Sequence, residues 1–171
     1  LAAMCVDDEP RIQQLAILSL LAVYSDILPG YRIRNLSAKE AQAQAKKETV
    51  QLREFEQSLL RHYQEYLKIL ESHLRNYTGL HDSRYIAVHK SCLRCMCSLL
   101  RARPNFNFRA NILRCIIPKL SSAKAALRDM VRSSLEAIMQ EDKESVLSLE
   151  IVKEIAKTVK KRGNNTHPDT V

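Results

Sequence analysis

Residues 24–34, Tyr24-Ser25-Asp26-Ile27-Leu28-Pro29-Gly30-Tyr31-Arg32-Ile33-Arg34, join two helical bodies, and the rest of the chain can be read outward from them. Leu28-Pro29-Gly30-Tyr31 fits a type II turn, in which Pro29 presets φ at the second position and Gly30 supplies the positive φ needed at the third. Tyr31, Arg32, Ile33 and Arg34 alternate apolar with basic, so an extended path sets Tyr31 and Ile33 against one surface and turns Arg32 and Arg34 away from it. Ser37-Ala38-Lys39-Glu40 is a capping box that opens a helix at Ala38. That helix meets no proline or glycine until about Tyr77, which at about 1.5 Å per residue makes a rod on the order of 60 Å long. Its first half, Ala38 to Thr49, is polar, carries no large apolar stripe, and is expected to owe its order to binding. From Leu52 onward, Leu52, Phe55, Leu59, Tyr63, Tyr66, Leu70, Leu74 and Tyr77 share one face and are expected to pack on a core.

Before the join, Asp7 or Asp8 is expected to cap a helix near Pro10, with Ile12, Leu15, Ala16, Ser19, Leu20 and Val23 recurring at helical spacing. After the rod, Asp82 or Ser83 opens a helix whose inner face carries Ile86, His89, Leu93, Met96 and Leu100. Phe106 and Phe108 anchor the start of the next helix, Arg109 to Ile117, which Pro118 stops or kinks because it lacks an amide hydrogen. Ser121 or Ser122 opens a further helix to about Gln140, and Glu144 opens the last, to about Lys161, with Gly163 as its C-cap. Asn164 to Val171 is expected to be disordered. The helices after the rod fall into two units of about 40 residues each, the period of HEAT and armadillo helix pairs. The expected fold is therefore all-α, an irregular HEAT/armadillo-like α-solenoid fragment with one long helix. It divides into residues 1–36 (helix, corner and join), 37–78 (long helix), 79–162 (helical-repeat block) and a 163–171 tail.

The 171 residues are enough for one sizeable core, and three glycines, five prolines and no tryptophan leave no credible strand pair. The longest nearly apolar run, Leu15 to Tyr24, is about half the roughly 20 residues a membrane span requires. No stretch has the layout of a signal peptide, so a soluble, intracellular protein without membrane partners is expected. Five cysteines, an odd number, argue for reduced thiols and against a disulfide framework. The net charge of +8 favours phosphate-rich or acidic partners.

Two classes of chemistry can be weighed from residue types. His89, Cys92, Cys95 and Cys97 have metal-ligand character, yet on a helix only His89 and Cys92 lie close together, and no knuckle or second element completes a zinc set. No pattern ties a histidine to a thiol, and GxGxxG, P-loop, HExxH and GxSxG motifs are absent, so no enzyme, metal or cofactor is expected. The basic positions are more informative. Arg32, Arg34, Lys39, Lys46, Lys47 and Arg53 form one group around the join, and Lys153, Lys157, Lys160 and Lys161, followed by Arg162, form another on the last helix. Such groups bind phosphates without reading bases, the alternatives being an acidic protein or plain solvation.

The join, Tyr24 to Arg34, together with Leu52-Arg53-Glu54-Phe55-Glu56 and Asn105-Phe106-Asn107-Phe108, resembles the signature of the nucleolar complex protein 3 family. The resemblance is densest from Tyr24 to Leu70. Members of that family are longer than this chain, which opens on Leu1 and not on methionine, so one piece of a longer protein is expected. The resemblance implies a non-catalytic scaffold in assembly and export of the large ribosomal subunit, in the nucleolus and nucleus. The implied partners are a nucleolar complex protein 2 family member, pre-ribosomal proteins and ribosomal RNA. A role in licensing DNA replication at origins is the runner-up it implies, and a thiol or metal-dependent enzyme is the alternative from another class.

Overall fold

The computed structural model describes residues 1–34, 46–75 and 83–163, and these residues form an all-α fold. Its helices are α1 (Pro10–Ile27), α2 (Lys47–Arg75), α3 (Ser83–Ala102), α4 (Arg109–Ile116), α5 (Ala125–Glu141) and α6 (Val146–Arg162), with 3-10 turns at Ala3–Val6 and Ile117–Ser121. No described helix is long and apolar enough to cross a membrane. The capping box at Ser37 to Glu40, Lys39, the segment Ala38 to Ala45 of the polar half-helix, Tyr77, Asp82 and the tail after Gly163 lie outside the described residues.

The first helix starts where Pro10 occupies its first turn, and Glu9, not Asp7 or Asp8, is the N-cap, its carboxylate accepting from the Arg11 amide at 3.3 Å. Asp7 instead accepts from the Glu9 amide at 2.9 Å, a turn that leads into the cap. Gln13, Ala16, Ile17, Leu20 and Tyr24 then make the buried stripe, and α1 packs chiefly on α3.

The long helix α2 has 29 described residues, about 43 Å at about 1.5 Å per residue. Leu59, Leu60, Tyr63, Tyr66, Leu67, Leu70 and Leu74 are buried. The stripe read from sequence continues N-terminally, but there Leu52 and Phe55 are 54% and 56% exposed, so the first turns of α2 run past the end of the bundle. An aromatic cluster ties α2 to its neighbours: Tyr24 stacks on Tyr66 with ring centres 5.1 Å apart, and Tyr63 meets Phe106 edge-on at 5.4 Å. The Tyr66 hydroxyl donates to the Ile17 carbonyl at 2.8 Å, and burial together with the nearby Cys95 and Cys92 thiols raises its pKa far above the usual tyrosine value.

Helix α3 is the centre of the fold. Between Val88 and Leu100 only Lys90 and Arg94 are exposed, and Cys92, Cys95 and Cys97 are all buried although they point to different sides. A helix that is apolar nearly all round must be covered all round, and α1, α2, α4 and α5 supply that cover.

The second half is built from shorter pieces. Phe108 caps α4 in the left-handed region at φ 69°, and Pro118 tightens the chain after Ile116 into the 3-10 turn, so α4 is stopped as its position predicts. Helix α5 opens later than the serines suggest, with Lys124 as N-cap, while Ser122 Oγ accepts from the Lys124 amide at 3.3 Å. Helix α6 starts at Val146. Asp142 serves it from outside, accepting from the Ser148 amide at 2.7 Å and the Ser148 hydroxyl at 2.8 Å. Gly163 closes α6 at φ 52°, its amide bonded to the Val159 carbonyl. Two arginine–glutamate pairs staple the layers: Arg101 on α3 to Glu141 on α5, and Arg109 on α4 to Glu150 on α6.

Candidate functional site

The join is held by side chains from the loop between α3 and α4. Arg103 donates through Nε to the Leu28 carbonyl and through Nη2 to the Ser25 carbonyl at 3.0 Å, satisfying carbonyls that the end of α1 leaves without helical partners. Four residues on, the Asn107 amide pairs with both backbone groups of Ile33: Ile33 N–H donates to Oδ1 at 2.9 Å, and Nδ2 donates to the Ile33 carbonyl at 2.9 Å. This is the hydrogen-bond pattern that a neighbouring strand offers, delivered by one side chain. Ile33 is accordingly 3% exposed, and Leu28 is 1% exposed.

Two expectations about the join need correction. Tyr31 is 54% exposed and not buried beside Ile33, because its hydroxyl reaches Glu56 Oε1 at 2.7 Å on the overhanging part of α2, and that hydrogen bond raises its pKa. Gly30 does not adopt positive φ and has open space where a Cβ would stand, so the corner is not a type II turn; Leu28 is already extended at φ −69°, ψ 125°. Arg103 and Asn107 supply the restraint that the sequence reading assigned to glycine.

Arg32 and Arg34 are exposed, as are Lys46 and Lys47 at the start of α2, while Arg53 is half-buried. Val50, Leu52 and Phe55 add exposed apolar surface to this same overhang. The other basic group lies on α6, where Lys153, Lys157, Lys160 and Lys161 are exposed and Lys157 Nζ stands 3.3 Å from Glu154. At 3.6 residues per turn, Lys153, Lys157 and Lys160 fall within about 60° of one another, whereas Arg162 is turned to the side of Ile151 and is half-buried.

A cluster that sequence reading did not assemble lies where α2, α4 and the second 3-10 turn meet. A cavity of about 550 Å³ there is lined by Glu71, Arg75, Asn111, Arg114, Cys115 and Lys119 among others. Arg75 pairs with Glu71, and Lys119 Nζ donates to the Leu74 carbonyl at 2.9 Å, near the end of α2. Burial lowers the Lys119 pKa, opposed by Cys115 and aided by the positive charge of Arg162 on α6. The lining residues come from three elements, so only their individual charges were visible in sequence.

The thiols are poorly placed for nucleophilic chemistry. Burial is the first cause in every case, pushing Cys95, Cys97 and Cys115 up to about 11 and Cys92 higher still, and a thiol that resists ionisation is a weak nucleophile. His89 is also buried and is pushed down to about 4, by burial first and then by the charges of Lys119 and Lys124. Among the described residues no three histidine, cysteine or acidic side chains converge as a metal set.

The family model described as Nucleolar complex-associated protein matches residues 1–66, which hold α1, the join and the start of the buried stripe of α2. The chain is 34% identical to the nucleolar complex protein 3 homolog of Danio rerio over 98% of its own length and 22% of that protein. It is 33% identical to the nucleolar complex-associated protein 3 of Schizosaccharomyces pombe, over 92% of this chain and 21% of that protein. For the Arabidopsis thaliana protein of the same name the identity is 32%, over 98% of this chain and 19% of that protein. The chain thus spans about a fifth of the length of these relatives. From α1 to α6, it is homologous to the nucleolar complex protein 3 family.

Proposed function

We propose that this chain is a non-catalytic helical scaffold acting in the nucleolus and nucleus, in assembly and export of the large ribosomal subunit precursor. The observation that carries the reading is similarity along 92–98% of the chain to proteins named for the nucleolar complex in an animal, a yeast and a plant. The architecture suits the role. The pairs α3/α4 and α5/α6 act as two turns of an irregular HEAT-like solenoid, residues 79–162, with α1 and the join (residues 1–36) and the long helix (37–78) laid against its α3. Such a stack offers partners a long surface and needs no reaction centre.

Within this reading the overhang of α2 receives a partner protein, a member of the nucleolar complex protein 2 family. Leu52 and Phe55 continue the core stripe beyond the bundle, and an apolar helix face left uncovered suits helix-in-groove docking. Tyr31, Arg32, Ile33, Arg34, Lys46, Lys47 and Arg53 make up the contact region at the join, with Ile33 as its buried anchor. Lys153, Lys157, Lys160 and Lys161 contact pre-ribosomal components from α6.

The test is to purify the full-length protein from cells under mild conditions and to identify the proteins and RNAs that accompany it. Large-subunit precursor RNA and a nucleolar complex protein 2 homologue are expected. Recovery of origin-recognition and helicase-loading proteins without precursor RNA would replace this reading with a role in replication licensing.

A further inference from the structure

We propose that the outward face of α6 docks an acidic amphipathic helix of a separate protein, whose aliphatic side chains cover Val146, Leu149 and Val152 while its carboxylates meet Lys153, Lys157, Lys160 and Lys161. The proposal rests on the scaffold reading for its setting and names the chemistry of the component that α6 contacts.

The composition of the face decides the sign and the character of the partner. Every exposed position of α6 from Val146 to Lys161 holds valine, leucine, alanine or lysine. The two acidic residues of the helix are half-buried and engaged, Glu150 with Arg109 and Glu154 with Lys157 Nζ at 3.3 Å. A helix face meant only for water mixes charges of both signs, whereas this one offers aliphatic surface and positive charge alone. Helix α6 has 17 residues, about 25 Å at about 1.5 Å per residue, and the face changes along that length. Val146, Leu149 and Val152 are 48%, 53% and 51% exposed and occupy its first turns, and the four lysines occupy the rest. At about 100° per residue, Leu149, Lys153, Ala156 and Lys160 fall within about 60° of one another, so the aliphatic and basic parts form one continuous stripe.

The same stripe selects among occupants. A phosphate backbone would neutralise the lysines and leave Val146, Leu149 and Val152 in water, and α6 presents neither an exposed arginine nor an aromatic ring on which a base could stack. Permanent cover by a further layer of the fold calls for an apolar face. Between Val88 and Leu100 of α3, which the fold does enclose, only Lys90 and Arg94 are exposed, but on α6 lysines alternate with aliphatic residues. Such a face stays soluble while open, as the surface for a partner that comes and goes must. An acidic amphipathic helix meets both halves of the stripe at once, its apolar side over Leu149 and its carboxylates on the lysines.

The experiment places a photo-cross-linker on the face. Full-length protein carrying Leu149→p-benzoylphenylalanine is irradiated in cells, with Phe55→p-benzoylphenylalanine as the comparison on α2, and the cross-linked segment is sequenced by mass spectrometry. The expected segment belongs to another polypeptide, holds more acidic than basic residues, and repeats its aliphatic residues at helical spacing. That segment is then made as a labelled peptide and titrated with the full-length protein. Leu149→Ser/Val152→Ser should weaken its binding about 10–50-fold at low and high salt alike, because two half-exposed aliphatic side chains lose their cover. Lys153→Gln/Lys160→Gln should weaken it about 5-fold at roughly 0.1 M salt and less than about 2-fold at roughly 1 M, where the screening length falls from about 10 Å to about 3 Å. All four positions are exposed, so neither variant should shift the melting temperature by more than about 2 °C.

An RNA adduct at residue 149, a cross-link within the protein's own chain or to a second copy of it, or a neutral or basic segment would each overturn the proposal. So would a cross-link recovered from residue 55 with none from residue 149, since the face would then be solvated in the cell. A cross-link to an acidic segment of a protein that travels with no large-subunit precursor would leave the docking face standing and remove the ribosomal reading.

Discussion

Replacing Asn107 with alanine removes the two hydrogen bonds that hold Ile33, and the cost can be worked from the structure. Each bond measures 2.9 Å and lies in a partly buried setting. A typical intramolecular hydrogen bond contributes about 1 kcal/mol net, and stranding its partner away from water adds to that, so the pair amounts to about 2–3 kcal/mol. For a chain of 171 residues a loss of 1 kcal/mol lowers Tm by about 2–4 °C, which gives an expected fall of about 4–12 °C by calorimetry or circular dichroism. Hydrogen exchange supplies the local readout: the Ile33 amide should lose its protection while those of Leu93 and Met96 in α3 keep most of theirs. Asn107→Asp keeps the acceptor for the Ile33 amide but faces the Ile33 carbonyl with a carboxylate oxygen, so it should fall between parent and alanine. A Tm within 1 °C of the parent, with Ile33 still protected in Asn107→Ala, would show that the join is held by burial of Leu28 and Ile33 alone and would refute the clamp.

Three further perturbations bear on other parts of the fold. Arg103→Ala should lower stability by about 1–3 kcal/mol in urea titrations through loss of the cap on α1, and Arg103→Lys should recover only part of it, since an ammonium lacks the fork that reaches two carbonyls. His89 is held neutral, so its folded pKa of about 4 lies below the unfolded value near 6.5; the stability it contributes is complete above about pH 6.5 and is lost as pH falls toward 4, at up to about 1.4 kcal/mol per pH unit. His89→Gln should flatten stability measured across that window, and an unchanged profile would mean that another group governs it. Leu52→Ser/Phe55→Ser should leave stability within about 0.5 kcal/mol, because both side chains are more than half exposed, yet should reduce recovery of the partner protein in pull-downs.

What the sequence made legible was local. Pro10, Pro118 and Gly163 act within a turn of their own positions, so the start of α1, the end of α4 and the end of α6 follow from them. The stripe from Leu59 to Leu74 was readable because helical period identifies a face. Period does not say where the opposing surface stops, which is why Leu52 and Phe55 looked like core and are not. Nor does it reveal that a helix is enclosed: Cys95 and Cys97, on different sides of α3, are both covered because separate helices arrive on each side. Tyr31 was misplaced for a similar reason, its hydroxyl finding Glu56 25 residues away. Arg103 and Asn107 work across more than 70 residues of chain, and the cavity beside Lys119 assembles side chains from several elements. Of the candidate positions at the join and on α6, sequence supplied the identities, the charges and the two groups, and the fold supplied the exposure of each.

The enclosure of α3 bears on how this segment comes apart. In a simple stack each unit touches only its neighbours, so an end can fray while the middle stays intact, and unfolding spreads along the row. Here one helix is the common wall for α1, α2, α4 and α5, and stripping any of these bares apolar surface from the same stretch, Val88 to Leu100. The early and late helices therefore share a single melting event, with α6, which is not among the four that wall α3, as the piece free to detach first. A cell's quality-control machinery would meet this segment as either whole or lost, with few half-folded forms between.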